Sequence, residues 1–233
     1  MKRLINYFTK AEFILWGVSV IFILTSFLIF DRANYLTLSA SLIGVTSLIL
    51  NAKGNPVGQL LMIIFSILYG IISFSFAYYG EMITYLGMTA PMALFSLIAW
   101  LKNPFNGNRS QVEVNTLSKK EIPFIIILTT VVTVLFYFIL EYFGTENLIP
   151  STISVTTSFA AVYLTFRRST YFALAYAAND VILIILWTLA SIEDISYMSV
   201  NICFIVFLIN DIYGFISWKR MKEKQKEARH SPD

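Results

Sequence analysis

Charged residues are scarce in this chain: Asp, Glu, Lys and Arg together make 13% of it, about half the share of a water-soluble domain. So few charges cannot cover the surface of a soluble globule, and 57% of the residues are hydrophobic. Cysteine occurs once, as Cys203, which excludes an internal disulfide framework and any multi-cysteine metal site. Histidine also occurs once, as His230 in a charged tail, so a histidine metal centre or proton relay inside the protein is excluded. No Gly-rich loop ending in Lys-Ser/Thr is present, and neither is a His-Glu-x-x-His or Gly-x-Ser-x-Gly arrangement. The chain therefore does not power itself by nucleotide hydrolysis, and no cofactor or metal is expected. The net charge of +3 is spread over loops and gathers on no single face, unlike a nucleic-acid binder. No small-residue cleavage site follows the first apolar run, which reads as a retained helix.

What the sequence does have is eight apolar runs, at about 13–30, 36–51, 57–79, 82–101, 122–143, 149–166, 171–191 and 197–218. Each is near the length that crosses ~30 Å of hydrocarbon as a helix. Turn residues punctuate them: Lys53-Gly54-Asn55-Pro56 before the third run and Asn103-Pro104-Phe105-Asn106-Gly107 after the fourth. Residues 102–121 read as a polar surface loop and 219–229 as a solvated basic anchor. Threading the runs through a bilayer puts sixteen of the seventeen Lys and Arg on one side, with Arg32 alone on the other. The opposite loops carry Asp31, Glu81, Glu141, Glu146, Glu193 and Asp194. Basic residues mark the cytoplasmic side, so both termini are expected there.

A shift of 118 residues lays runs three and four on runs seven and eight. Tyr69 falls on Trp187, Tyr79 on Tyr197, Ser96 on Gly214, Trp100 on Trp218 and Lys102 on Arg220. This reading divides the chain into an extra N-terminal helix (13–30), a first three-helix repeat (36–101), a linker helix (122–143), a second repeat (149–218) and a cytoplasmic tail (219–233). Because one helix intervenes, the repeats run parallel, as in SWEET-type carriers, whose solutes sit near the membrane midplane between repeats.

Polar groups inside spans are the functional candidates, because charge in hydrocarbon costs at least ~2.5–3.5 kcal/mol. Two acids lie well inside, Asp180 and Asp211, each directly after an asparagine, Asn179 and Asn210. Asp211 is expected nearer the cytoplasmic end, within reach of water. Tyr176 and Asp180 are four apart on one helix face, with Asn179 beside them and Trp187 two turns on. An acid, a carboxamide and aromatic faces suit a flat ring that carries hydrogen-bonding groups, and a cationic ring above all. Gln59 and Tyr69 on the third run join the candidate set. The same polar groups also serve to join helices. Pro91 interrupts the fourth run as a kink or hinge, and the Ser/Thr-rich start of the sixth fits helix packing.

With these residues in hand, the sequence resembles the PnuC family of nicotinamide riboside transporters over about residues 40–220. Leu68-Tyr69-Gly70 followed by Phe76-Ala77-Tyr78-Tyr79-Gly80-Glu81-Met82 is similar to that family's Leu-Tyr…Tyr-Gly-Asp/Glu-Met pattern. Its Trp-x-x-Trp-x-x-x-Asp pattern stands here as Ala173-x-x-Tyr176-x-x-x-Asp180, with the acid kept and both tryptophans replaced. The resemblance implies an all-α 3+1+3 bundle in the bacterial inner membrane, homo-oligomeric, taking up its solute by facilitated diffusion. A cytoplasmic nicotinamide riboside kinase would draw the flux inward. It also implies that Tyr176 and Trp187 line the ring, Asp180 meets ribose or cation, and Gln59 and Asn179 meet polar edges. Relatives of this architecture are thought to carry other vitamins, such as thiamine or riboflavin. That alternative, a sugar carrier, a membrane receptor and an intramembrane enzyme all stay open at this point.

Overall fold

The computed structural model describes residues 7–75, 78–145 and 147–230. Among them, eight helices are long and apolar enough to cross a membrane. They are α1 (Lys10–Phe30), α2 (Tyr35–Ala52), α3 (Pro56–Ser75), α4 (Tyr79–Lys102), α5 (Glu121–Tyr142), α6 (Leu148–Phe166), α7 (Phe172–Glu193) and α8 (Met198–His230). A helix is what an apolar run must form in lipid, since its backbone groups find partners only within the segment.

Local chemistry sets the ends. Thr9 and Glu12 form a reciprocal capping box that opens α1, and the Asn34 side chain accepts the Thr37 N–H at the start of α2. Between α2 and α3, Gly54 takes a left-handed φ of 67°, which costs glycine nothing. Pro56 then begins α3 at a position that needs no N–H donor. At Gly58 a Cβ would collide with Asn51, so glycine lets α2 and α3 approach. One expected boundary differs. The third run does not continue to residue 79: α3 ends at Ser75, the Tyr78 N–H bonds back to the Ser73 carbonyl, and Tyr79 already opens α4.

Helices α2, α3, α4, α7 and α8 surround a common core to which α1 adds Ile23, while α6 packs against α4 and α7 and α5 lies outermost. Of α5 only Leu140 is buried. Helix α1 is tied on by polar contacts: Trp16 Nε1 donates to Thr46 Oγ1 at 3.1 Å, and Asn210 Nδ2 donates to Ser19 Oγ at 2.9 Å. Near the termini Glu12, almost wholly buried, pairs with Lys53 at 3.0 Å and accepts the Tyr213 hydroxyl.

The face that carries both termini is closed by a second cluster, Trp100, Phe172, Ala173 and Trp218, with Val112, Val114 and Met221 beneath. The two indoles are repeat partners by the 118-residue shift, and their rings lie 5.4 Å apart. Trp100 Nε1 donates to the Thr165 carbonyl at 3.0 Å and Trp218 Nε1 to the Asn51 carbonyl at 2.7 Å. Both carbonyls stand in the last turn of a helix, where donors run out. Each already accepts one backbone N–H from beyond the helix end, so the indole fills the second lone pair.

Two expectations about this face are corrected. Residues 102–121 are not simply a surface loop: β1 (Pro104–Phe105) and β2 (Asn108–Val112) form an antiparallel hairpin that buries Val112 completely. The tail is more than a solvated anchor: most of its basic residues are exposed, but α8 continues to His230 and buries Met221 and Gln225. The Gln225 carboxamide donates to the Val112 carbonyl at 2.9 Å and accepts the Val114 N–H at 2.8 Å. Backbone groups of the buried strand edge need partners, and the tail supplies them.

Replacing Trp218 or Trp100 by Phe keeps the ring packing and removes one buried hydrogen bond. Each change is expected to cost about 0.6 kcal/mol and at most about 1.7, the average and the maximum for such bonds in membranes. Thermal unfolding in detergent should show the midpoint of each variant a few degrees lower; unchanged midpoints for both would exclude these bonds as supports of the closed face.

Candidate functional site

Helix α7 presents Tyr176, Asp180, Leu183 and Trp187 toward the interior at spacings of four, three and four residues, one face of a helix. At the end near the termini, Tyr176 packs edge-on against Phe172, with centroids 6.3 Å apart. One turn further, the carboxyl of Asp180 meets that of Asp211 on α8 at hydrogen-bonding range. Both are buried, and Asp180 Oδ2 has no donor from another residue type. A proton between the two carboxyls lets one donate to the other. The expectation that water reaches Asp211 is therefore corrected: it is 4% exposed, covered by the packing of α7 against α8.

Trp187 stands two turns beyond Asp180. Its Nε1 donates to the Tyr69 hydroxyl at 2.7 Å, so two residues paired by the 118-residue shift touch here as well. Tyr69 lies edge-on to Tyr85 at 4.4 Å and to Phe204 at 5.4 Å, and stacks on Phe65 at 5.6 Å. Tyr78 closes on Trp187 at 5.0 Å. Beside these rings is a cavity of about 10 Å³ lined by Thr37, Ser41, Tyr69 and Cys203 among others. That volume holds one water; Tyr69 and Phe204, which line it, are buried, as are Tyr85 and Trp187 beside them.

Asn179 points away from that face toward α6. Its Oδ1 is within reach of the hydroxyls of Thr157 and Ser158, each at 2.9 Å, and of Ser154 at 3.4 Å. Ser154 Oγ is also 3.1 Å from Glu81 Oε1. One hydroxyl proton serves one acceptor best, and the carboxylate is the stronger. The Ser/Thr-rich start of α6 therefore joins α6 to α7 and also reaches a buried acid.

That acid is a candidate that sequence reasoning missed. Glu81 was expected in an outer loop, but it is 2% exposed in the first turn of α4. It became buried because α3 stops early and α4 begins among the other helices. The Tyr-Gly-Glu-Met stretch was a signal that something occurs here, without saying that the acid faces inward. Tyr85, one turn on, has Glu81 on one side and Asp180 with Tyr176 on the other.

Two expected ligands are placed elsewhere. Gln59 Nε2 donates to Asn51 Oδ1 at 2.9 Å, within a knot that includes Ser47 and the Gly58 carbonyl. It joins α2 to α3. Asn210 faces α1 through Ser19. Tyr69, Tyr176, Asp180 and Trp187 thus share the interior, Asn179 borders it, and Gln59 and Asn210 work between helices. Ala173, where the resemblance expects tryptophan, is fully buried against the Trp218 cluster, with Gly214 and Ala52 close by. An indole would not fit there.

Helix α4 changes character at this depth. Residues Tyr85–Thr89 form a π turn in which the Ala90 N–H bonds to the Tyr85 carbonyl, just before Pro91, which has no N–H to give. Such turns recur at functional sites. The Pro91 expected to interrupt this helix thus follows a widened turn.

A bundle of membrane-spanning helices with acids and aromatic rings turned to a buried centre is the architecture of a solute carrier. Comparison with known sequences gives the family: residues 34–220 match the model described as nicotinamide mononucleotide transporter, and the chain belongs to that family. It is 22% identical over 201 residues to a nicotinamide riboside transporter, PnuC, of Neisseria mucosa, covering 84% of this chain and 76% of that one. Over 192 residues it is 22% identical to the transporter of the same name from Haemophilus influenzae, covering 82% of each. The crystal structure of a vitamin B3 transporter, PnuC, superposes with a TM-score of 0.82 over 94% of both chains at 20% identity. At that identity the superposition speaks to the fold.

Tyr69→Phe and Trp187→Phe each remove one end of the same buried hydrogen bond. In a double-mutant cycle read by thermal unfolding, the two costs should fall short of additivity by about 0.5–1.5 kcal/mol. Strict additivity would mean the two side chains do not couple.

Proposed function

We propose that this carrier takes up nicotinamide riboside by facilitated diffusion. The observation that carries the choice of solute is the sign of the buried charge. Glu81, Asp180 and Asp211 are buried around the centre, whereas no Lys or Arg among the described residues is buried. A phosphate drawn into such an interior would meet carboxyls and no cation to pair with, at a cost of several kcal/mol. The family's description names the mononucleotide, but acids and tyrosine faces favour the riboside, a cationic pyridinium without a phosphate. On this reading Tyr176 and Trp187 line the ring, Asp180 takes the ribose hydroxyls, and Asn179 borders the site.

Transport requires the two ends of the centre to open in turn. The repeat supports such a motion. Tyr69 with Trp187, and Trp100 with Trp218, are pairs that a pseudo-twofold between repeats 36–101 and 149–218 would bring together at its axis. The π turn before Pro91 gives α4 a place to bend. With no phosphate-binding loop in the chain, net uptake needs a sink, and a cytoplasmic kinase that phosphorylates the riboside would supply it. Self-association in the membrane is part of the same reading. The basic residues of the terminal face orient the bundle, with both termini cytoplasmic in a bacterial inner membrane. Carriage of thiamine, another cationic ring, is the second reading, favoured by the absence of indoles at positions 173 and 176.

Proteoliposomes should accumulate labelled nicotinamide riboside to the external concentration without ATP or an ion gradient. Asp180→Asn and Tyr176→Ala should each raise the dissociation constant at least tenfold, ~1.4 kcal/mol. Uptake of thiamine alone overturns the choice of solute, and unchanged affinity in both variants overturns the site. Orientation is read independently. A cysteine at exposed position 193 should react with an impermeant maleimide from outside intact cells, against the low background of buried Cys203; reaction from the cytoplasmic side alone overturns it.

A further inference from the structure

We infer that Glu81, with the rings of Tyr69 and Tyr85, forms the subsite that selects a positively charged ring, and that Asp180 does not. This rests on the carrier reading above and adds the residue on which charge preference depends. Asp180 and Asp211 face each other, so one proton between the two carboxyls satisfies both. Glu81 has no such neighbour. Its Oε1 accepts the Ser154 hydroxyl at 3.1 Å, and Oε2, fully enclosed, has no partner. Among the described residues no Lys, Arg or His pairs with it.

A buried carboxylate with one oxygen unmatched is costly unless something completes it. What lies next to it is aromatic. Tyr85 follows Glu81 by four residues on the same face of α4, and Tyr69 meets Tyr85 edge-on at 4.4 Å. Both rings lie within electrostatic reach of the carboxylate. A carboxylate beside tyrosine faces is a receptor for a delocalised cation, since charge and ring quadrupole pull in the same direction. The site is placed on the helix that holds the π turn, so a cation drawn to Glu81 acts on the segment most able to bend. Ser154 gives its proton to Glu81, while the Asn179 carboxamide oxygen beside it is engaged by Thr157 and Ser158.

The experiment compares two forms of one solute in purified, reconstituted protein. Nicotinamide riboside carries the pyridinium charge, and its 1,4-dihydropyridine form has the same carboxamide and ribose without it. The wild type should bind the cationic form at least tenfold more tightly, and Glu81→Gln should reduce that ratio at least tenfold. Glu81→Asp, which keeps the charge, should hold the ratio within about threefold of wild type. Equal affinities in the wild type overturn the proposal with no variant needed, and an unchanged ratio in Glu81→Gln overturns it as well. If the wild type binds neither form, the riboside reading fails. The charge preference is then decided on thiamine against thiochrome, its neutral oxidation product, with the same ratios required.

Discussion

A polar group inside a bilayer has no water to fall back on, and this constraint organises the whole molecule. The indoles of Trp100 and Trp218 finish the ends of α6 and α2. Gln225 finishes an interior strand edge, and Asn51, Gln59 and Ser47 saturate one another where α2 meets α3. Hydroxyls along the helices bond back to the carbonyl four residues earlier, as Ser66, Thr84 and Ser191 do. Ten buried side-chain atoms among the described residues lack a hydrogen-bond partner, and most of them are hydroxyls. Two are carboxylate oxygens at the centre: that of Asp180 faces Asp211 across a shared proton, and that of Glu81 has no such neighbour. A soluble protein could solvate such atoms; here the protein or its solute must complete them.

The same economy explains why the centre is filled without being rigid. Aromatic rings fill it, and ring-to-ring contacts exchange for ring-to-solute contacts at small cost. A flat solute can take the place of one ring edge against another. By contrast, the layer below Tyr176 is held by directional bonds from a hairpin and the tail helix. Opening on that side therefore has to move Trp218, Val112 and Gln225 together. The two ends of the bundle are thus sealed by different means, rings on one side and a hydrogen-bonded collar on the other.

Much of the fold was legible in the sequence because lipid imposes a simple code. Apolar runs gave seven spans to within a few residues and the start of the eighth. Tyr176, Asp180 and Trp187 stood out as an intramembrane acid and its helical neighbours, Tyr69 by its place on the third run, and the fold turns all four inward. What was not legible depends on depth and direction. Glu81 sits at the edge of an apolar run, and only the early end of α3 carries it inward. Gln59 and Asn210 are inside spans, as read, but which neighbour a carboxamide faces is decided by packing. The hairpin and the helical tail escaped notice because their polar composition reads as loop, while their burial comes from Val112, Met221 and Gln225 alone.

The π turn of α4 has a consequence for register. Glu81 and Trp100 are nineteen positions apart, and at about 100° per residue an unbroken α-helix would set them about 100° apart around its axis. Both are buried on the inner side of α4. The wide turn at Tyr85–Thr89 absorbs one residue's worth of rotation, which brings the two into phase. A single inserted position therefore keeps the acid at one end and the indole at the other on the same line. The helix reads as two α segments in different frames, spliced at the depth where the solute would lie.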